Sequence, residues 1–325
     1  MAKTKREKKK QDPVAADQVL LSGEILNSSI SEVARTVDGS GYAFVRLNCS
    51  GKNITKIPEE ISTYVHLRYI DVSDNHLDDI LPLTKLPYVL SLNAARNNIT
   101  DISCLADETC LPSCTVLNLS NNSISTLCTI ALPHLAKLTL DGNPFVSFEG
   151  VDRLPESLTH LSMRDTHLST LAHLPSLLNL AYLSLAYCRI ESLTDVSMLG
   201  ALKVLDISGI RLPDFGSLKV LLLLPSLQEL TVSSIDPGMS DEDFRQEILV
   251  ILRRLHKLNG VDVTPEEKKR AKAVKLHRKR EQEKAEEQKR IHEEEEAGHE
   301  PEKEPADDDS HAGADVADDK QEQDA

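Results

Sequence analysis

The sequence predicts an α/β fold, a solenoid in which about nine repeated units form a curved parallel sheet with helical caps at both ends. Three observations support this prediction. A pattern of leucines recurs every 21 to 25 residues, only 3% of the residues are aromatic, and charge is unevenly distributed along the 325-residue chain. A core of Leu and Ile with few aromatic side chains indicates a regular, repeated packing unit. A charged C-terminal helix and a disordered tail are predicted to follow the solenoid.

The repeated unit is typified by residues 67–77, LRYIDVSDNHL, which read L-x-x-L-x-L-x-x-N-x-L. Its apolar residues alternate with polar ones, as in a strand with one buried face. The period and pattern are those of the leucine-rich repeat, and nine copies in series make chance an implausible source. The copies begin at residues 44, 67, 89, 114, 135, 158, 180, 202 and 227.

An asparagine occupies the polar slot of the pattern in four successive repeats. The chain must turn away from the strand there, and the turn leaves backbone groups without ladder partners inside the coil. An inward amide has two donors and an acceptor to satisfy them. The sequence therefore predicts a structural asparagine ladder, formed by Asn75, Asn97, Asn122 and Asn143.

Later repeats lose this asparagine. Thr166 and Cys188 stand in the slot in the sixth and seventh copies and retain some hydrogen-bonding capacity. Ile210 and Ile235, in the eighth and ninth copies, retain none. We expect the last two turns to be shaped differently.

Both ends of the repeat array, residues 44–240, require covers because terminal repeats expose core. Apolar residues near helical spacing predict an N-terminal helical cap over residues 14–43. At the other end, residues 241–263 are predicted to form the C-terminal cap. Three acids at 241–243 suit a helix N-terminus, and an apolar stripe from Phe244 to Leu255 can close the last coil.

Residues 264–296 predict a charged helix. Thr264 and Glu267 form a capping-box pattern, and Pro265 suits the first helical position. Apolar residues are too sparse for a heptad seam, so we expect a solvated helix that covers none of the core. The basic residues 1–13 and the acidic residues 297–325 predict disorder by composition.

The basic stretch KKRAKAVKLHRKR, residues 268–280, has three interpretations. It could be a solvated helix, a docking element for an acidic protein surface, or a nucleic-acid contact. The last is disfavoured because no aromatic stacking residue accompanies the charge. The acidic tail that follows would also repel phosphates.

No pattern of residues predicts catalysis, a metal site or a bound cofactor. Cys104, Cys110 and Cys114 are clustered, but without the spacing of a zinc-binding pair. No nucleotide-binding glycine motif is present. No apolar run is long enough to span a membrane and no secretory signal is recognised, so the six cysteines are expected to be free thiols in the cytoplasm.

The side chains between the core slots are expected to line the exposed side of the sheet, which we call the concave face. We expect this face to bind another protein rather than a small-molecule substrate. Tyrosine and arginine are the residue types that concentrate binding energy at such surfaces. The candidate partner-binding residues are Tyr69, Asp71, Asn93, Asn118, Lys137, Asp141, His160, Arg164, Tyr182 and Asp206.

Two strings carry a resemblance to a known family: YVHLRYIDVSDNHL at 64–77, in the second repeat, and DEDFRQEILVILRRLHKL at 241–258, after the last repeat. With the charged helix that follows, they make residues 30–290 resemble the leucine-rich-repeat-containing protein twenty-three family of radial spoke head proteins in motile cilia. The resemblance implies a structural role in the axoneme, a cytoskeletal location and other spoke components as partners.

Two other functions remain open on the residues alone. Short repeats of this type also resemble those of phosphatase regulators, which would hold a catalytic subunit on the concave face. Repeats of this length also occur in a ribonucleoprotein adaptor. An axonemal protein would remain in a detergent-extracted cytoskeletal pellet, whereas either alternative would largely be absent from it.

Overall fold

The computed structural model describes residues 19–233 and 235–297, which form one twelve-stranded sheet with its strands in chain order. The predicted leucine-rich repeat solenoid is confirmed. The strands are β1 (Ile30–Arg35), β2 (Tyr42–Asn48), β3 (Tyr69–Asp71), β4 (Ser91–Asn93), β5 (Val116–Asn118), β6 (Lys137–Thr139), β7 (His160–Ser162), β8 (Tyr182–Ser184), β9 (Val204–Ile207), β10 (Glu229–Val232), β11 (Lys257–Leu258) and β12 (Val261–Asp262).

Strands β2 to β11 are parallel, and the register places equivalent repeat positions opposite one another. Leu47 pairs with Ile70, which pairs with Leu92, and the row continues through every later repeat. These residues are at most 2% exposed. A constant register therefore stacks each repeat's central apolar residue on the next and forms one continuous core.

The segments that return the chain between strands contain only short helices. Each repeat has 21 to 25 residues, and too few remain after the strand and turn for a long helix. The helices in the described part of the chain are α1 (Gly23–Ser29), α2 (Leu81–Thr84), α3 (Asp241–Ile251) and α4 (Pro265–Ala297), with 3₁₀ helices at Glu59–Thr63, Ser103–Ala106, Thr194–Met198 and Phe215–Leu223.

The asparagine slot is buried in each of the four repeats that carry it. The Asn75 Oδ1 atom accepts from the backbone N–H of Ile54 at 2.9 Å, one repeat earlier. Its Nδ2 atom donates to Cys49 O and Val72 O, both at 2.9 Å. Asn97, Asn122 and Asn143 repeat this arrangement, so each amide joins two neighbouring turns.

The later turns replace the amide with other bonds. Thr166 Oγ1 donates to Met163 O at 3.0 Å, and the Cys188 thiol reaches the same carbonyl at 3.0 Å. The Ile210 N–H bonds within its own repeat, to Ile207 O at 3.3 Å. Gly209 nonetheless keeps the left-handed conformation, with φ +72°, that precedes the slot in earlier repeats.

The N-terminal cap differs from the predicted helix over residues 14–43. Residues 14–18 lie outside the described residues, α1 ends at Ser29, and β1 and β2 then form an antiparallel hairpin. The cause is an Asp38-Gly39 turn, a strong hairpin signal, closed by a bond from Thr36 N to Gly41 O at 2.9 Å. The apolar spacing read as helical is therefore largely that of a strand.

The first repeat also shifts its predicted core residue. Phe44 begins the first copy of the pattern, where the leucine spacing predicts a buried residue, but it is 47% exposed and Val45 is buried instead. In the central repeats a turn precedes a three-residue strand, whereas β2 is extended over seven residues. Strict alternation along β2 therefore turns Val45 and Leu47 inward and Phe44 outward.

The C-terminal cap is built around α3. Ser240 caps its N-terminus by accepting from Asp243 N at 3.2 Å, and Phe244 and Ile248 are buried against the last coil. Arg245 donates to Leu258 O at 3.0 Å and to Asp262 O at 2.8 Å. Helix α3 is thereby fixed to the two strands that end the sheet.

The start of α4 belongs to this cap, contrary to the expectation that the charged helix covers none of the core. The Thr264–Glu267 capping box is confirmed by bonds of 2.7 and 3.2 Å, and Glu267 also pairs with Arg245 at 2.5 Å. Ala271 is 1% exposed and Val274 packs against the core. The contact between the start of α4 and the core was not predicted from the sequence because only two small apolar side chains, Ala271 and Val274, form it.

From Lys275 onward the chain forms a separate unit. Its described part is helix α4, whose side chains between Lys275 and Glu293 are mostly exposed and include the pairs His277–Glu281 and Lys279–Glu283, both at 3.3 Å. The predicted tails, residues 1–13 and 297–325, lie outside the described residues apart from Ala297, which ends α4.

Candidate functional site

The concave face has two rows of side chains, set by the strand register. The central row runs from strand to strand through the residue before each central core position. The strand-end row runs through the residue after it. The central row comprises Arg46, Tyr69, Ser91, Val116, Lys137, His160, Tyr182, Val204, Glu229 and Lys257. The strand-end row includes Asp71, Asn93, Asn118, Thr139, Ser162, Ser184 and Asp206.

Four of the ten predicted partner-binding residues lie in the central row. Lys137, His160 and Tyr182 are neighbours on β6, β7 and β8. The rings of His160 and Tyr182 stack, with centroids 5.7 Å apart. Tyr69 lies on β3, where the Arg46 guanidinium carbon is 4.9 Å from its ring centroid. These aromatic and cationic side chains face outward and can contact a partner.

Three other candidates lie in the first half of the strand-end row and already have partners within the chain. The Asp71 Oδ1 atom accepts from Ser73 N at 3.0 Å, closing the turn after its strand. Asn93 bridges its neighbours: its Nδ2 donates to Asp71 Oδ2 at 3.2 Å, and its Oδ1 accepts from Asn118 Nδ2 at 3.0 Å. These side chains form a second polar ladder, which the sequence did not predict.

The remaining three candidates form a hydrogen-bonded network at the strand ends in the second half of the sheet. Asp206 is 9% exposed and its Oδ2 atom accepts from Ser184 Oγ at 3.0 Å. Arg164 lies 3.5 Å from the same carboxylate. The Asp141 Oδ1 atom accepts from Ser162 Oγ at 2.6 Å and from the Arg164 N–H at 2.8 Å.

This network separates Arg164 and Asp141 from the central row with which the sequence had grouped them. Both lie in the turns after their strands, and Arg164 neutralises a nearly buried carboxylate. Removing that guanidinium would leave Asp206 without its ion pair, which is costly for a buried charge. Altering Arg164 would therefore test folding as well as binding.

Sequence reasoning missed several outward residues at the N-terminal end of the concave face. Val33, Tyr42 and Phe44 are exposed there, and Arg46 covers Tyr69. Their signal was present in the alternation of residues 42–48, YAFVRLN, which places Tyr42, Phe44 and Arg46 on one side of a strand. This alternation was not recognised because Phe44 also fits an apolar slot of the leucine pattern.

The thiols are placed for packing. All six cysteines are free, as expected, and burial raises the pKa of Cys104 and of Cys114 to about 12. Thiols with such values stay protonated near neutral pH and make poor nucleophiles and metal ligands. Within residues 19–233 and 235–297, no group of three His, Cys, Asp or Glu residues is placed to hold a metal ion.

None of the described helices has the length and apolar character needed to cross a membrane. The concave face presents aromatic rings, a few exposed charges and an extended surface. Such a surface supports binding of another macromolecule through contacts spread over many strands.

Comparison with known proteins finds relatives over most of the chain. The chain is 30% identical to leucine-rich repeat-containing protein 23 of Bos taurus over 280 residues, and the alignment covers 78% of this chain and 80% of that protein. The human protein of the same name is 29% identical over 288 residues, with coverage of 81% and 82%. The Xenopus tropicalis protein is 30% identical over 286 residues, with coverage of 82% and 81%.

Comparison with solved structures finds partial matches. An internalin from Listeria monocytogenes has a TM-score of 0.44 at 23% identity, covering 66% of each chain. The leucine-rich repeat domain of APL1B has a TM-score of 0.49 at 14% identity, covering 66% of this chain and 67% of that one. No protein-family profile matches the chain.

Proposed function

The chain belongs to the leucine-rich repeat-containing protein 23 family, and we propose that it is a non-enzymatic structural component of the radial spoke head in the ciliary or flagellar axoneme. In this role it binds another spoke component through the concave face. The axonemal setting comes from the family resemblance carried by residues 64–77 and 241–258.

The observation that supports the binding mode is the central row of the concave face. Lys137, His160 and Tyr182 occupy adjacent strands at one register, outward and clear of the polar ladders that hold the turns. The parallel sheet fixes their backbone positions, so less conformational freedom is lost when a partner docks. Tyrosine is among the residue types that dominate binding energy at interfaces.

The test replaces residues of the central row in cells that lack the native protein. Lys137→Glu with Tyr182→Ala reverses a charge and removes a ring at the proposed interface without altering the Arg164–Asp206 pair. Lys219→Glu, exposed in the 3₁₀ helix Phe215–Leu223, is the matched charge reversal away from the sheet. Each protein is quantified in detergent-extracted axonemes after its melting temperature is compared with that of the unmutated chain.

We expect the unmutated chain and Lys219→Glu to remain in the axonemal pellet and the double variant to be depleted from it. Normal incorporation of a folded double variant would reject the concave face as the binding surface. Absence of the unmutated chain from axonemes would reject the axonemal role and favour a phosphatase regulator or a ribonucleoprotein adaptor.

A further inference from the structure

Large apolar side chains collect at one end of the concave face. Val33 is 59% exposed, Tyr42 77%, Phe44 47% and Tyr69 36%. Among the described sheet residues, the other exposed large apolar side chain is Val261, 60% exposed on the two-residue strand β12 at the opposite end. The first four lie on β1, β2 and β3, and we call them the N-terminal patch.

The register places these side chains together. Val33 is directly opposite Phe44 on the β1–β2 hairpin, and two positions along the strands Arg35 is opposite Tyr42. Tyr69 is one strand further, opposite Arg46. Val33 and Phe44 are paired directly, and Tyr42 and Tyr69 are diagonal neighbours of that pair at a spacing that aromatic side chains can span, so the patch is continuous rather than scattered.

The fold does not require this exposure. The inward residues of β2, Val45 and Leu47, are 4% and 0% exposed and already cover the first coil. The same outward register on later strands accepts polar residues such as Ser91, Lys137 and Glu229 as well as apolar ones. Apolar side chains concentrated on a surface that could carry polar ones indicate an interaction site.

Docking onto the face fits the structure better than extension of the sheet edge. β1 is the edge strand, and its pairing with β2 skips Glu32, which has a left-handed φ of +54°. This break interrupts the row of hydrogen-bonding groups that an added strand would need. A partner therefore meets the patch through side chains.

The charges beside the patch restrict the partner. Arg46 is neutralised by Glu32 at 2.6 Å. The Arg68 guanidinium donates to the Arg35 carbonyl at 2.6 Å, and that of Arg35 to the Gly39 carbonyl at 3.5 Å. Within the described residues neither Arg35 nor Arg68 forms an ion pair, so two positive charges remain available beside the apolar surface.

These charges argue against two occupants from the same chain. Residues 1–10 carry six Lys or Arg and one Glu, the same sign as the two arginines. A second copy joined through a twofold axis would bring four like charges, Arg35 and Arg68 of each molecule, into one interface. A segment of a different protein, with carboxylates beside its apolar residues, has neither conflict.

We propose that the N-terminal patch is the anchor site of the concave face and binds a segment of another protein in which apolar side chains are flanked by Asp or Glu. This inference rests on the proposed function of the concave face. It adds where on that face the binding energy is concentrated and which chemistry the partner presents.

Two sets of fluorescent peptides test this proposal against the full-length protein by fluorescence anisotropy. Both sets carry Leu and Phe at the same positions, one with Glu beside them and the other with Lys. The variants are Val33→Thr with Phe44→Thr, and Arg35→Gln with Arg68→Gln. Leu178→Thr, at a residue 71% exposed outside the sheet, is the control for loss of an exposed apolar side chain.

We expect the Glu peptides to bind about tenfold more tightly than the Lys peptides, and the threonine pair to weaken binding by about tenfold. The glutamine pair should remove the preference for Glu, and Leu178→Thr should change nothing. Equal binding of both sets, loss of no affinity in the threonine pair, or no binding at all would overturn the proposal. Self-association abolished by the threonine pair would assign the patch to a second copy instead.

Axonemal incorporation of the threonine pair separates this inference from the proposed function. Depletion of both this pair and Lys137→Glu/Tyr182→Ala supports both proposals. Depletion of the latter alone leaves the concave-face function intact and rejects the anchor site. Normal incorporation of both rejects the two together.

Discussion

At the scale of single residues, the buried asparagines show how a polar side chain stabilises an apolar coil. Each amide satisfies backbone groups in two successive turns, so its removal leaves several of them unpaired. Asn97, for example, accepts from Leu77 N at 3.0 Å and donates to Val72 O at 3.0 Å. The asparagine stabilises the fold through the backbone groups to which its amide is hydrogen-bonded, rather than through burial of its own side chain.

Replacement of Asn97 by Leu should therefore lower the free energy of unfolding by about 1–3 kcal/mol, the usual cost of unsatisfied buried polar groups. The neighbouring Asn98 is exposed and provides a matched control, since Asn98→Leu removes an amide of the same kind. Urea denaturation measures both. Equal midpoints for the two variants would show that the ladder adds nothing.

Gly209 is a second residue whose identity the fold restricts. Its φ is +72°, and a Cβ there would lie 2.4 Å from Cδ1 of Tyr187, whose ring rests on it. Gly51, with φ +68°, has open space at the same point. The two glycines thus share a backbone conformation and differ in what surrounds them.

Gly209→Ala should be more destabilising than Gly51→Ala. Both carry the left-handed backbone cost of about 1–2 kcal/mol, and only the first must also displace the Tyr187 ring. Thermal unfolding of both variants and of Gly209→Ala with Tyr187→Ala separates the terms. The double variant should recover the difference; if it does not, the ring contact is unimportant.

At the scale of elements, Arg245 joins the C-terminal helices. Its hydrogen bond holds the pKa of Glu267 down to about 2, with smaller contributions from the Thr264 N–H and hydroxyl. A carboxylate whose pKa is depressed by folding stabilises the folded state at pH values above the pKa that it has in the unfolded chain. That contribution is lost as the pH falls toward the pKa that it has in the folded chain.

Glu267→Gln should therefore lower the melting temperature at pH 7 and lose this effect on acidification. The gap between variant and unmutated chain should close between about pH 4.5 and pH 2, the interval between the ordinary and depressed pKa values. Melting curves across that range provide the measurement. A gap that stays constant with pH would mean that Glu267 acts through packing rather than charge.

The hairpin at the other end shows why element type was harder to predict than repeat architecture. Nine copies of a pattern reinforce one another, whereas the N-terminal cap occurs once. Val33 and Val37 suited a helical spacing, but the Asp38-Gly39 turn and the extended β2 decided the outcome. Local turn chemistry there outweighed periodicity.

At the scale of the whole molecule, the predictable part is the part that repeats. The sheet, its register and its buried leucines follow from the spacing of the pattern. The site is less predictable, because the same polar residue types occur both as exposed side chains and as side chains that are hydrogen-bonded within the chain. Asp71 and Tyr69 both alternate with core residues, and only the contacts in the structure show that the first closes a turn while the second lies outward beneath Arg46.

Covering the last coil is also a requirement of the whole array. A chain that ends after Val274 should unfold at the same temperature as the full chain, because it keeps Glu267, Ala271 and Val274. A chain that ends after Gly260 loses all three and should melt at a lower temperature. Calorimetry of the two truncations tests this expectation, and identical transitions would show that the start of α4 adds nothing to the cap.

The antiparallel strands that end the sheet have a consequence for crowded surroundings. Stacked repeats could in principle continue from one molecule into the next, since parallel strands of equal register are mutually compatible. Here β1 is interrupted at Glu32 and β12 has two residues, so neither end presents a long regular strand to a neighbour. We therefore expect many copies held at high local concentration to stay separate and not to join end to end into fibres.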